Sequence, residues 1–403
     1  MKIALVSAYD FPYPGGVTTH ICRLEENFVR QGHDVRIIAA SSQPEAAAAR
    51  NAVVIGRPTS VRSAGSIARI TLSLRLSGKV KRLLKQEEFD IVHLHEPLVP
   101  ALPITMLRFS DTVNVGTFHA YTGSTLSSNN LGYYYGRRIL RRWFRKLHGK
   151  IAVSRPAWEF VSQYFPGYYH IIPNGIDYER FARPAPPLPE LSDGRLNILF
   201  VGRAEKRKGL QYLLRAFVYV RQEFPDARLI IVGPETSAME RYKEWVLEKG
   251  LGGVCFAGYV SDADLPRYYH SAHVCCSPAT GGESFGIVLL EAMAAGRAVV
   301  ATKIEGYKEV VTHGSEGLLL EPKKVEELAM ALVHVLADAS LRESMGERGR
   351  HRAAQFSWGC VAQRVLNYYE SLRHEYGTDG RLEAARDEID LNTIEPRDFV
   401  GLG

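Results

Sequence analysis

The feature that most constrains this chain is an apolar run without alternation, Lys2–Tyr9 (KIALVSAY), followed at once by turn residues and then a helical pattern. A strand with one wet face alternates polar and apolar residues, whereas a strand covered on both faces does not. Further runs fall at Val35–Ala40, Val53–Gly56, Asp90–His95, Val113–His119 and Lys150–Ser154, with a helix expected over Thr18–Gln31 and Gly32 as its stop. Strands alternating with helical segments imply right-handed crossovers in a parallel sheet. The pattern restarts at Asn197–Gly202 and continues through Arg228–Gly233, Val254–Gly258, Val274–Ser277, Ala298–Thr302 and Gly317–Leu320. Between the two series lies Ala182–Asp193 (ARPAPPLPELSD), whose four prolines make it the best candidate linker. The reading is α/β: two doubly wound parallel-sheet domains facing across a cleft, 1–176 and 177–356. A length of 403 residues suits two domains of roughly 100–200 residues each.

Composition narrows the function. Five cysteines, none in a C-x-x-C pair, exclude a disulfide framework and argue for a reducing compartment. The apolar start Ile3–Ala8 is too short for a signal peptide, and no stretch approaches the roughly 18 apolar residues of a membrane span. A soluble or peripheral protein is expected. Residues 1–176 carry 22 Lys and Arg against 11 Asp and Glu, a net of +11, and residues 177–403 carry 28 against 33, a net of −5. Such asymmetry suggests an anionic partner for the first half: a membrane surface, a nucleic acid or a phosphorylated substrate. Thr378–Gly403, with seven acidic and three basic residues, reads as a poorly ordered tail.

Three motifs carry chemistry. Pro14-Gly15-Gly16-Val17 follows the first strand and opens a helix, where glycine lets backbone N–H groups approach a phosphate; an ordinary strand-to-helix turn is the alternative. The full G-x-G-x-x-G fingerprint is absent, and the second strand ends Ala39-Ala40-Ser41 with no acid for a ribose, which speaks against an NAD-type oxidoreductase. Arg203, Lys206, Arg207, Lys208 and Gly209 follow the first strand of the second half, placed to clamp a diphosphate or simply to be solvated. In Gly281-Gly282-Glu283-Ser284-Phe285-Gly286-Ile287-Val288-Leu289-Leu290-Glu291-Ala292, two glutamates stand eight residues apart. On one helix that spacing is just over two turns and puts both on one side, with Glu283 at or before the first turn.

With these motifs in order, the chain resembles the retaining nucleotide-sugar glycosyltransferases of family 4, whose fold is GT-B. The resemblance covers roughly residues 1–377 and adds Thr117-Phe118-His119 and Ile172-Pro173-Asn174-Gly175-Ile176-Asp177 to the motifs above. His93-Leu94-His95-Glu96-Pro97 and His273–Val300 are especially similar to the bacterial phosphatidylinositol mannosyltransferase subgroup. By motif, the resemblance implies that Gly15 and Gly16 approach the donor diphosphate and that Arg203 and Lys208 neutralise it as it leaves. Glu291 would hold the ribose hydroxyls, Glu283 would lie near the transferred sugar and His119 would bond a sugar hydroxyl. Phe285, Gly286 and Ile287 would present backbone N–H groups to the phosphates. The fold also implies that a helix within 357–377, with Val361, Val365, Tyr368, Tyr369 and Leu372 on one face, crosses back to the first domain. No cofactor and no essential metal are expected. His93 and His95 alternate on one strand face, yet no third metal ligand is assignable from the sequence.

Two basic amphipathic stretches complete the reading. Arg75–Lys85 sets Leu76, Val80, Leu83 and Leu84 against Arg75, Lys79, Lys81, Arg82 and Lys85. Arg137–Lys150 sets Ile139, Leu140, Trp143, Phe144 and Leu147 against Arg137, Arg138, Arg141, Arg142, Arg145 and Lys146. Such helices suit an anionic leaflet, with the first stretch assigned to membrane and acceptor. Tyr133-Tyr134-Tyr135 is read as packing, and no nucleic-acid motif accompanies the charge. The resulting expectation is a retaining hexosyltransferase, cytoplasmic and peripheral on the inner membrane face. It moves mannose from GDP-mannose to a lipid acceptor, phosphatidylinositol. A UDP-sugar enzyme acting on diacylglycerol or a soluble acceptor is the second reading. A non-catalytic membrane- or nucleic-acid-binding protein is the third.

Overall fold

The computed structural model describes residues 1–63, 66–73, 75–119, 131–283 and 285–376. The first half forms β1 (Lys2–Ser7), β2 (Asp34–Ala39), β3 (Ala52–Val54), β4 (Thr59–Ser63), β5 (Ser66–Ile70), β6 (Ile91–His95), β7 (Val113–Phe118), β8 (Gly149–Ala152) and β9 (His170–Ile171). The second forms β10 (Asn197–Val201), β11 (Arg228–Val232), β12 (Val254–Gly258), β13 (Val274–Ser277), β14 (Ala298–Thr302) and β15 (Gly317–Leu320). Two parallel sheets result, ordered β3-β2-β1-β6-β7-β8-β9 and β12-β11-β10-β13-β14-β15. In each, strand order reverses beside the first strand, between β1 and β6 and between β10 and β13. Open α/β sheets bind ligands at the carboxyl ends around such switch points.

The unalternated runs are buried as their pattern requires: Ile3–Val6 is fully inaccessible, β13 and β14 are buried throughout, and so is β10 up to Phe200. The first crossover helix spans Gly16–Arg30, and Gly32 follows it with φ +83°, a left-handed stop. The antiparallel hairpin β4–β5 has no counterpart in the sequence reading. Its five-residue strands, TSVRS and SIARI, give no unbroken apolar run to detect. It docks on the loop after β1: Asp10 donates its N–H to the Arg69 carbonyl at 2.9 Å, and the buried Asp10 carboxylate lies 3.6 Å from the Arg69 guanidinium.

The proline-rich run is not a loose linker. Leu188 and Leu191 are buried in the second half's core, and the Leu188 N–H donates to Ser271 Oγ at 2.8 Å. The chain changes core between Ile172 and Ile176. A helix at Trp358–Tyr376 packs on the Gly16–Arg30 helix and β7, burying Val361, Ala362, Val365, Leu366, Tyr369 and Leu372 in the first half's core. Tyr368 is only partly buried, and its hydroxyl accepts the Lys150 N–H at 3.1 Å. Glycine allows the approach: a Cβ on Gly175 would stand 2.5 Å from the Trp358 ring, and one on Gly149 2.4 Å from Leu372. The departing and returning segments pair directly. Ile176 donates to the Phe356 carbonyl at 2.8 Å, and Trp358 donates to the Ile176 carbonyl at 3.2 Å. The tail 378–403 lies outside the described residues.

Candidate active site

At the first switch point, Gly15 and Gly16 open the Gly16–Arg30 helix, and a Cβ on either would meet nothing within 4 Å. Packing does not demand glycine here. The space in front of the loop is open, and the first helical N–H groups lack intrahelical partners.

Four imidazoles meet beside this loop. His93 and His95 come from β6, His119 follows β7, and His20 projects from the first helix. His95 Nδ1 is 3.0 Å from His119 Nε2, and His20 Nδ1 donates to Asn174 Oδ1 at 3.0 Å. His93 bonds Thr117 Oγ1 at 2.6 Å and the Tyr369 hydroxyl at 2.5 Å, so the returning helix reaches the base of the cluster. The His119 backbone N–H donates to the buried Glu96 carboxylate at 2.7 Å. Burial pulls the His20 ring down to about 4 and His93 to about 3, and it holds His95 and His119 well below the usual imidazole range. The rings are neutral at pH 7, so His119 can offer a hydrogen bond but no fixed positive charge. The sequence reading lacked a third ligand for the His93/His95 pair. The structure supplies His20 and His119 beside His95.

At the second switch point, Lys206–Lys208 form one turn of 3-10 helix after β10. Gly209, at φ +76°, then lets the loop press on the segment after β13; a Cβ there would sit 1.9 Å from the Pro278 carbonyl oxygen. Thr280 N–H donates to the Arg207 carbonyl at 2.7 Å and locks the two segments together. Lys208 Nζ consequently lies 2.9 Å from Glu283 Oε1, which Arg207 also contacts. Arg203 does not join them. Its side chain is 75% exposed and stands 3.6 Å from Glu205. Arg207, grouped with the basic loop in the sequence, is the cation that joins Lys208 at Glu283.

The two-turn argument for the glutamates is corrected. The helix runs only over Ile287–Ala294, and Gly281 and Gly282, at φ +144° and +72°, make a turn just before Glu283. Glu283 is therefore off the helix. Phe285 is buried against Phe356, and Gly286 caps the helix where a Cβ would stand 2.6 Å from Val310. Ile287 is 43% exposed. Glu291 is partly buried and accepts the Tyr269 hydroxyl at 2.7 Å; desolvation pushes its carboxyl up to about 7.

The first basic stretch is a helix at Ser77–Glu87 with Leu76, Val80 and Leu83 buried. Arg75, Lys79, Lys81, Arg82 and Lys85 are exposed, and among the described residues none makes an ion pair. The second is the Leu131–Phe144 helix. Two of its assignments change. Ile139, expected to face inward, is 66% exposed among Arg138, Arg141 and Arg142. Lys146 is no free surface cation: it donates to the Leu107 and Arg108 carbonyls at 2.7 and 3.2 Å. The side chains of Tyr133–Tyr135 and Arg137 lie outside the described residues. No described helix is long and apolar enough to cross a membrane.

Comparison with known proteins adds independent findings. Residues 14–180 match the model of Glycosyltransferase Family 4, and residues 188–352 match that of Glycosyl transferases group 1. The chain is 36% identical over 377 residues to a phosphatidyl-myo-inositol mannosyltransferase of Mycobacterium leprae, covering 92% of this chain and 97% of that one. The figure is 37%, with the same coverage, for the Mycobacterium tuberculosis H37Rv protein of that name. Among solved structures, Anabaena HepE with UDP superposes with a TM-score of 0.71 at 21% identity, covering 92% of this chain and 100% of that one. Sucrose-phosphate synthase from Thermosynechococcus elongatus gives 0.68 at 23% identity, covering 93% and 99%. Both solved structures share the two-sheet fold.

Proposed function

This chain belongs to the family 4 glycosyltransferases, and on that premise we propose that it moves mannose from GDP-mannose to phosphatidylinositol, with retention, at the inner face of the cell membrane. The mannosyl and lipid parts of the reading draw on relatives that share most of its length. The geometric observation that carries the transfer itself is the convergence of Lys208 and Arg207 on Glu283, ahead of the Ile287–Ala294 helix N-terminus. A departing diphosphate needs fixed positive charge and oriented N–H groups, which Lys208, Arg207 and this helix N-terminus can offer, with Arg203 turning inward to join them.

In this reading Gly15, Gly16, Phe285, Gly286 and Ile287 bring backbone to the diphosphate, and Lys208 and Arg203 neutralise it. Glu291 accepts the ribose hydroxyls, Glu283 lies by the transferred sugar, and His119 bonds one of its hydroxyls. The anomeric carbon–oxygen bond to the diphosphate breaks while the acceptor hydroxyl attacks from the same face. The acceptor's proton passes to a diphosphate oxygen, so no carboxylate nucleophile is required, unlike in a two-carboxylate glycosidase. No metal is assigned a role in this transfer. Arg75, Lys79, Lys81, Arg82 and Lys85 hold the first half against anionic lipid.

The test is a thermal-shift screen followed by transfer to phosphatidylinositol vesicles. GDP and GDP-mannose should stabilise the protein by about 2.7 kcal/mol at a hundredfold excess over Kd. The glycolipid product should carry an α-linked mannose. A shift with UDP but not GDP overturns the donor, and a β-linkage overturns retention.

A further inference from the structure

His20, His95 and His119 come from the first helix, from β6 and from the segment after β7, and converge on one point. Their ring centroids form a nearly equilateral triangle: 5.3 Å between His20 and His95, 4.9 Å between His20 and His119, and 5.3 Å between His95 and His119. One ring nitrogen from each lies within 4.8 Å of the other two. His95 Nε2 is buried with no hydrogen-bond partner among the described residues, an unmet polar atom within a packed polar cluster.

We propose that His20, His95 and His119 form a site for a borderline divalent transition ion of the Zn2+ or Co2+ kind, and that its occupation withdraws His119 from the sugar. Three imidazoles with no oxygen donor select such ions over Mg2+ or Ca2+. Metal–nitrogen bonds of about 2.0–2.1 Å would draw the nitrogens inward by about 1 Å. The surroundings supply what a histidine-bound ion uses. His20 gives its Nδ1 proton to Asn174, which fixes the ring and leaves Nε2 as the lone-pair nitrogen. The Glu96 carboxylate accepts the His119 backbone N–H at 2.7 Å and so fixes the backbone from which the third ring projects. The competition with sugar rests on the role of His119 given above; the site itself does not.

The experiment uses the full, untagged chain stripped of metal and titrated with Co2+, followed by visible absorption. One equivalent should give the intense bands of tetrahedral Co2+, Zn2+ should bleach them, and Mg2+ should leave the protein unchanged. His95→Ala and His20→Ala should each weaken Co2+ binding about a hundredfold or more, and Asn174→Ala about ten- to a hundredfold. GDP thermal shifts check that each variant is folded, and His95→Gln and His20→Asn replace any that is not. No tetrahedral spectrum, or one that survives both histidine substitutions, overturns the site. Saturating GDP-mannose should raise the apparent Kd for Co2+. Binding indifferent to GDP-mannose leaves the site standing and overturns the sugar role of His119.

Discussion

Around β1 and β6 the chain gathers imidazoles, and around β10 and β13 it gathers paired charges. The two switch points are equivalent in topology. At the first, His20, His95 and His119 are neutral, packed and held by Asn174, Glu96 and the returning helix. At the second, Lys208, Arg207 and Glu283 meet in a half-exposed loop. Outside the cleft the balance inverts: the basic surplus of +11 belongs to residues 1–176, and residues 177–403 are net −5. One sheet order thus serves two electrostatic designs. The fold fixes where a ligand sits, and the loops fix what it meets.

The largest expected effect would separate the two halves. Reversing Lys79, Lys81, Arg82 and Lys85 to glutamate should abolish binding to anionic vesicles. At about 1 kcal/mol per charge near the leaflet, four losses alone amount to roughly a thousandfold. GDP binding, measured by thermal shift, should not move. Vesicle flotation that is indifferent to anionic lipid at low salt would break the contrast.

The converse variant is Lys208→Ala. Turnover should fall by about a hundredfold or more, as when one preorganised charge stabiliser is removed, while vesicle binding persists. Arg203→Ala gives a sharper reading. The exposed Arg203 must reorient on donor binding to act as assigned, so wild-type turnover in that variant would transfer its role to Arg207.

The smallest effect concerns pH. Glu291 is raised to about 7 by burial. The folded state therefore binds this proton more tightly than the unfolded chain, and the stability it contributes is fully present below the ordinary carboxylate range and lost as pH rises toward 7. Ribose hydroxyls prefer the carboxylate, so GDP affinity should rise up to about tenfold from pH 6 to 8 as the ionised fraction grows. Glu291→Gln should flatten that slope. A wild-type profile that is already flat would show that the proton on Glu291 does not govern binding.

Much of this was legible from the chain. Runs such as KIALVSAY specify buried parallel strands, and glycine and lysine motifs fall at their carboxyl ends. Three features were not. The meeting of His20 with His95 and His119 depends on a crossover that brings residues distant in sequence to one point. The placing of Glu283 in the turn before the helix, not on it, depends on where the helix starts and on the left-handed Gly281 and Gly282, which the spacing does not reveal. The hairpin β4–β5 is held by docking through Asp10 and Arg69, which leaves no apolar periodicity. Ile139 misled for the opposite reason: helical spacing marks where an apolar residue can pack, not whether a neighbour is there.

The direct pairing of Ile176 with the Phe356–Trp358 segment has a mechanical consequence. The chain passes from one half to the other along two segments that pair side by side, like adjacent pins on one edge of a door. Sliding one half past the other would shear both passages, whereas swinging about their common line leaves them intact. The motion these passages leave free is a rotation about that line, in which the travel of each loop grows with its distance from it.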